Sequence, residues 1–242
     1  MPLDRARLEK AAADCGFELT PVLEPNGELV LRSAMFPESV VVSILAGGRF
    51  ALTSSRPVLL GATEQLPVAV EGFGPLYEVL QKASATARTL PNRVAERFHA
   101  AVGLMPATTE VERLVRQRVG QSLFRDALLD FWRGRCCVTG LAVAELLRAS
   151  HIKPWSRCES DEERLDVFNG LLLAPHVDAL FDGGWISFDD SGSLLVSPAL
   201  PSEAATKVGL SLSWRVDGLL ESHKAHLAHH RTQELRGIGR RA

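Results

Sequence analysis

Between Ser150 and Asp182 the chain reads SHIKPWSRCESDEERLDVFNGLLLAPHVDALFD, the densest run of chemistry-bearing side chains in the sequence. His151 lies on a strand-like stretch, Asn169-Gly170 follows, and a helix begun by Pro175 carries His176, Asp178 and Asp182. An imidazole titrates near neutral pH and can take a proton from water. Carboxylates at i and i+4, such as Asp178 and Asp182, project from one helix face and can hold a hard divalent ion. A base, a positioning amide and metal ligands in that order suit phosphodiester hydrolysis. That reaction needs an activated water and positive charge on the developing phosphorane.

Each residue also has a purely structural reading. His151 beside Ile152 can be an ordinary strand histidine, and Asn169-Gly170 a hairpin turn. Asp178 can be a carboxylate favoured by a helix N-terminus, Asp182 a helix-end turn residue, and His176 a cap or surface group. The order and spacing of the set favour the chemical reading over the separate structural ones.

The elements around this segment follow from pattern. The chain has 242 residues, enough for two domains, and is 46% hydrophobic and 23% charged, as soluble globular proteins are. No apolar run reaches the roughly 20 residues of a membrane span, so no membrane partner is expected. The start, MPLDRARLEK, lacks the apolar core of a signal peptide. The four cysteines (Cys15, Cys136, Cys137 and Cys158) form no C-x-x-C pair, which points away from a disulfide framework or structural zinc site and toward a reducing cytoplasm. Net charge is only −2, yet Arg113 to Arg157 holds nine basic residues, among them Arg125, Arg148 and Lys153, against three acids from Arg113 onward: Asp126, Asp130 and Glu145. Such a stretch can meet phosphates, or can be a solvated face.

An α+β fold is expected. A helix over 4–15 precedes strands at 17–23, 28–32, 39–45 and 49–53, with a further strand near Val68 and helices over 75–88 and 92–102. Pro106, followed by Thr108-Thr109-Glu110, marks the domain break: residues 1–105 form a target-recognition or interaction domain, and 106–242 the chemical one. In the second region a helix over 109–118 is interrupted at Gly120 and resumes to Trp132, with Leu123, Phe124, Ala127, Leu128 and Phe131 as its apolar stripe. RCCVTG and LLRASHI read as two short strands or a strand and an arm. The run SRCESDEERLD reads as a loop, 169–173 as a strand, Pro175 to Gly183 as a helix, WISFD and SLLVS as a hairpin, and 216–233 as a final helix. The histidines of that last helix (His223, His226, His229, His230) include an i, i+4 pair but lack an acidic or thiol partner close by in sequence, so they are set aside as a metal site. Phe36, Arg32, Arg49 and Arg56 fall on expected loops and strand ends.

The motifs Cys137-Val138-Thr139-Gly140, Ser150-His151-Ile152-Lys153-Pro154-Trp155, Asn169-Gly170-Leu171-Leu172-Leu173 and Asp178-Ala179-Leu180-Phe181-Asp182 together resemble the HNH, or ββα-metal, endonuclease family. They are most similar to its bacterial restriction-type branch, and the likeness covers roughly 109–233. The resemblance implies a ββα-metal domain with helical flanks, His151 as general base, and Asn169 as the residue that steadies the loop and orients that histidine. Nine residues after Asn169, where the family places its last histidine, stands Asp178, making the motif H-N-D; Asp182 matches a further ligand position. Many members carry Asp or His directly before the base, where this chain has Ser150, and His176 is a further ligand candidate. The implied cofactor is a divalent ion, Mg²⁺ or Mn²⁺ for so carboxylate-rich a set. The implied partner is DNA, with Arg148 or Lys153 on a phosphate, products carrying 5′-phosphates, and a homodimer as a route to double-strand cutting. A DNA-binding protein with a decayed nuclease site and an RNA-directed toxin nuclease are the alternative readings.

Overall fold

The computed structural model describes residues 2–103 and 109–237, which pack as two compact units, Met1–Arg88 and Thr89–Ala242. The break expected at Pro106 lies among residues 104–108, outside the described residues. Among the described residues no helix is long and apolar enough to cross a membrane.

In the first unit, α1 (Pro2–Asp14) precedes a five-stranded antiparallel meander in sequential order. Its strands are β1 (Leu19–Leu23), β2 (Leu29–Arg32), β3 (Val40–Ile44), β4 (Arg49–Ser54) and β5 (Val68–Glu71); α2 (Phe73–Thr89) follows. Alternation puts Leu29, Leu31, Val40, Val42, Phe50 and Leu52 on one buried face, joined in the core by Leu8, Leu76 and Leu80 from the helices. Phe36, expected on a loop, is a core residue instead and meets Phe17 edge to face at 5.6 Å.

The second unit opens with α3 (Pro91–Val102) and α4 (Glu110–Phe131). A capping box starts α4: Glu112 N–H donates to Thr109 Oγ1 at 3.2 Å, and Thr109 N–H to Glu112 Oε2 at 2.8 Å. The helix runs through Gly120 without the expected interruption. A single glycine weakens a helix by only about 1 kcal/mol, and the buried row Gly120, Phe124, Ala127, Leu128 and Phe131 holds it on the core. RCCVTG is a turn rather than a strand. Cys136 Sγ accepts from Thr139 N–H at 3.3 Å and Ala174 N–H at 3.2 Å, while Gly140 adopts a φ of 72°.

Next come β6 (Arg148–His151), the four-residue helix α5 (Asp161–Arg164) inside the expected loop, β7 (Gly170–Leu173) and α6 (Pro175–Asp182). β6 and β7 pair antiparallel with His151 opposite Gly170. All four residues of β7 are buried, so it reads as a continuous apolar run. A Cβ on Gly170 would come within 2.6 Å of Phe124 Cζ and 2.8 Å of Leu128, so the missing side chain lets α4 lie directly on the pair. The hairpin β8 (Ile186–Phe188) and β9 (Leu194–Val196), then α7 (Ser202–Lys207) and α8 (Glu221–His229), complete the unit.

Two of the four C-terminal histidines are core groups. His223 is buried against Phe131, Trp132 and Phe168. His230 stacks on Phe181 with ring centroids 3.9 Å apart and meets Ser187 Oγ at 3.0 Å. Burial pushes the His230 pKa down from 6.5 to about 4. A depressed value means that protonation favours the unfolded chain, so this contribution is intact above pH 6.5 and is lost as pH falls toward 4. We expect stability to drop by up to about 3 kcal/mol over that window from this group. Urea unfolding at pH 7.5 and 4.5 should show less pH dependence in His230→Gln than in the natural protein; equal dependence would contradict the assignment.

Candidate active site

His151 ends β6 and is held from three sides. Its ring stacks on Phe124 at 3.9 Å, Trp155 meets it edge-on at 5.5 Å, and its Nε2 lies 2.8 Å from the Arg164 carbonyl. A carbonyl only accepts, so Nε2 carries the hydrogen and Nδ1 keeps its lone pair. Burial lowers the His151 pKa, against the opposing pull of the Arg164 carbonyl and of Asp182. The ring is therefore neutral at pH 7 and its basic nitrogen has no protein partner among the described residues.

Asn169 makes that arrangement possible. It is fully buried where the loop between β6 and β7 closes. Its Oδ1 accepts from Lys153 N–H at 2.7 Å; its Nδ2 donates to the Lys153 carbonyl at 3.2 Å, the Glu163 carbonyl at 3.3 Å and Cys158 Sγ at 3.4 Å. Lys153 follows the histidine by two residues and Glu163 precedes Arg164. One side chain thus ties both ends of the loop that brings the carbonyl to the ring. Lys153 Nζ is committed to Glu163 Oε1 at 2.6 Å, which fastens the same loop. Arg125, counted in the basic stretch, braces the approach to β6 by donating to the Leu147 and Ala144 carbonyls at 2.7 and 2.6 Å.

The helix α6 buries Val177, Leu180 and Phe181, leaving Asp178 half-buried and Asp182 exposed. Burial raises the Asp178 pKa, and Asp182 adds to the rise; Ser150 and Arg148 oppose it. The Ser150 hydroxyl is buried and has no partner at hydrogen-bonding geometry, yet stands near enough to Asp178 to hold its pKa down in part. Arg148 is exposed on β6, and its guanidinium reaches the Leu147 carbonyl at 3.4 Å. His176 is exposed with its ring 5.5 Å from that of Trp214. Among the described residues no three His, Cys, Asp or Glu side chains gather as a metal cage. Sequence reasoning missed Arg164, whose contribution is a main-chain oxygen, and Phe124, which had read only as part of an apolar stripe.

Removing the Asn169 amide takes away the partner of the Lys153 N–H and of the Glu163 carbonyl and one of the partners of the Lys153 carbonyl, in a part-buried loop. Asn169→Ala is expected to cost about 3 kcal/mol, and Asn169→Asp, of the same shape, to lose the three donated bonds as well. Denaturant midpoints and hydrogen exchange at the Lys153 amide check this. Unchanged protection in both variants would remove Asn169 from the loop's fastening.

Residues 136–189 match the model of a family described as HNH endonuclease, 54 of the 242 residues of the chain. No curated protein matches the chain. The matched span runs from the Cys136 turn through β6, the Asn169 loop, β7 and α6 to the end of β8, and so takes in His151 and Asn169 with Asp178 and Asp182. This segment of the chain is similar to the HNH endonuclease family.

Proposed function

We propose that the protein is a metal-dependent endonuclease that hydrolyses DNA phosphodiester bonds, with His151 as general base. The observation that carries this reading is the placement of the His151 ring, its Nε2 tied to the Arg164 carbonyl and its Nδ1 open, with burial lowering its pKa.

An HNH site implies a divalent ion. The donors near His151 are the Asp178 and Asp182 carboxylates, electrostatically coupled to each other, with the orphaned Ser150 hydroxyl beside Asp178. Such a set fits a hard ion that keeps most of its waters, as Mg²⁺ or Mn²⁺ does, and not a closed zinc site. His176, turned to Trp214, is the weakest ligand candidate. When bound, the ion supplies charge stabilisation at a phosphate oxygen and at the leaving oxygen. His151 Nδ1 removes the proton of the attacking water; the new bond forms from that oxygen to phosphorus, and the bond to the 3′-oxygen breaks. The 3′-oxygen takes a proton from solvent, leaving a 5′-phosphate. Arg148 contacts a neighbouring phosphate, while Lys153, bonded to Glu163, acts by holding the loop. The unit Met1–Arg88 would choose the target or a protein partner, and a homodimer would bring two sites to two strands. A restriction or defence role rests on the motif likeness alone. A decayed, DNA-binding site is the second reading, favoured by the absence of a three-residue cage among the described residues.

Nicking of plasmid DNA is expected with Mg²⁺ or Mn²⁺ and not with EDTA. His151→Ala should lower it by about 10²–10⁴-fold, and Asp178→Asn should raise the metal concentration that nicking needs. The base must be neutral to act, so activity should fall only as pH drops through a value below 6.5. Salt-sensitive binding without cleavage under every metal would select the decayed site.

A further inference from the structure

A cavity of about 340 Å³ lies in the second unit beside the Asn169 loop. Phe98 of α3 and Trp155 supply aromatic walls, and Arg113, Arg116 and Gln117 of α4 line it, with the Arg164–Asp161 pair completing it. From this the geometry points to a binding site for one unpaired nucleotide, its phosphate on Arg113 and Arg116 and its base against Trp155. Naming the ligand a nucleotide rests on the nuclease reading.

Arg113, Arg116 and Arg164 line the cavity with Asp161, which is bonded to Arg164 at 3.1 Å. Arg164 is also fixed by the Cys158 carbonyl at 2.7 Å and lies 5.9 Å over the Trp155 ring, so it sets the indole rather than the ligand. Arg113 and Arg116 stand one turn apart on α4, with Arg116 5.5 Å over the Phe98 ring. Guanidinium donors suit a phosphate, and flat rings suit a base. The volume falls at the lower end of the range for small-ligand pockets.

The two aromatic walls converge on Gly120. A Cβ there would come within 2.8 Å of Trp155 Cη2 and 3.4 Å of Phe98 Cε2. The glycine that costs the helix some stability is therefore what lets both rings close over α4. Trp155 also meets the His151 ring at 5.5 Å, so one indole borders both the cavity and the general base. A nucleotide held there would lie next to the phosphate being cut. A base within a duplex cannot enter such a cavity without leaving its stack, so the ligand is unpaired or flipped out.

The test measures binding in EDTA, where no cleavage occurs, by fluorescence anisotropy of a labelled oligothymidylate and of a fully paired duplex of equal length. Substituting Arg113→Ala with Arg116→Ala should weaken the single strand about tenfold and the duplex less. Arg113→Glu, at an exposed position, should weaken it in the same direction, and unfolding midpoints check that both variants are folded. Equal affinity of variant and natural protein for the single strand would overturn the site. Equal losses for both probes would also overturn it, leaving only a general phosphate-binding surface. Plasmid nicking by the natural protein with Mg²⁺ is scored separately. Nicking with no variant effect on binding sinks the cavity alone; a variant effect with no nicking under any metal sinks the nuclease reading alone.

Discussion

The site depends on one buried amide closing one loop. Asn169 bonds the main chain at Lys153 and at Glu163, and those two contacts bring the Arg164 carbonyl to His151 Nε2. A carbonyl in that place selects the tautomer whose other nitrogen is basic. Without the clamp the loop would keep the Lys153–Glu163 pair, a partly exposed ion pair of modest worth, and the Arg164 bond to the Cys158 carbonyl, but no buried side chain would join its two ends.

Packing completes what the amide begins. Phe124 covers one face of the imidazole, and burial disfavours the charged ring. The phenyl group reaches that place because Gly170, paired with His151 across the strands, has no side chain to hold α4 away. Close packing, a depressed basicity and an open nitrogen are thus consequences of the same three residues. The carboxylate side is different in kind: α6 presents Asp178 and Asp182 in a partly buried, like-charged pair, an arrangement that a bound cation would relieve.

Much of this was legible in residue types. Alternation in the first hundred residues exposed the strands of the meander, because a half-buried sheet writes its period directly into the sequence. The motifs around Cys137, His151, Asn169 and Asp178 carried the likeness to HNH endonucleases, and the matching family model covers residues 136–189. What stayed hidden depended on tertiary partners. Gly120 reads locally as a helix breaker, yet in the fold it is the gap into which Trp155 docks. RCCVTG reads as a short strand, while hydrogen bonds to Cys136 Sγ from distant Ala174 and nearby Thr139 hold it as a turn. Charge alone marks Lys153 and Arg125 only as part of a basic stretch, while the fold adds the Lys153–Glu163 pair and the bonds from Arg125 to main-chain carbonyls. The Arg164 carbonyl carries no side-chain signature at all.

The central claim is the state of His151, and nuclear magnetic resonance of the protein with ¹⁵N-labelled histidine reads it directly. The account predicts the tautomer protonated at Nε2 at neutral pH, with a titration midpoint below the ordinary histidine value of 6.5. A ring protonated at Nδ1, or one that titrates above that value, would contradict it.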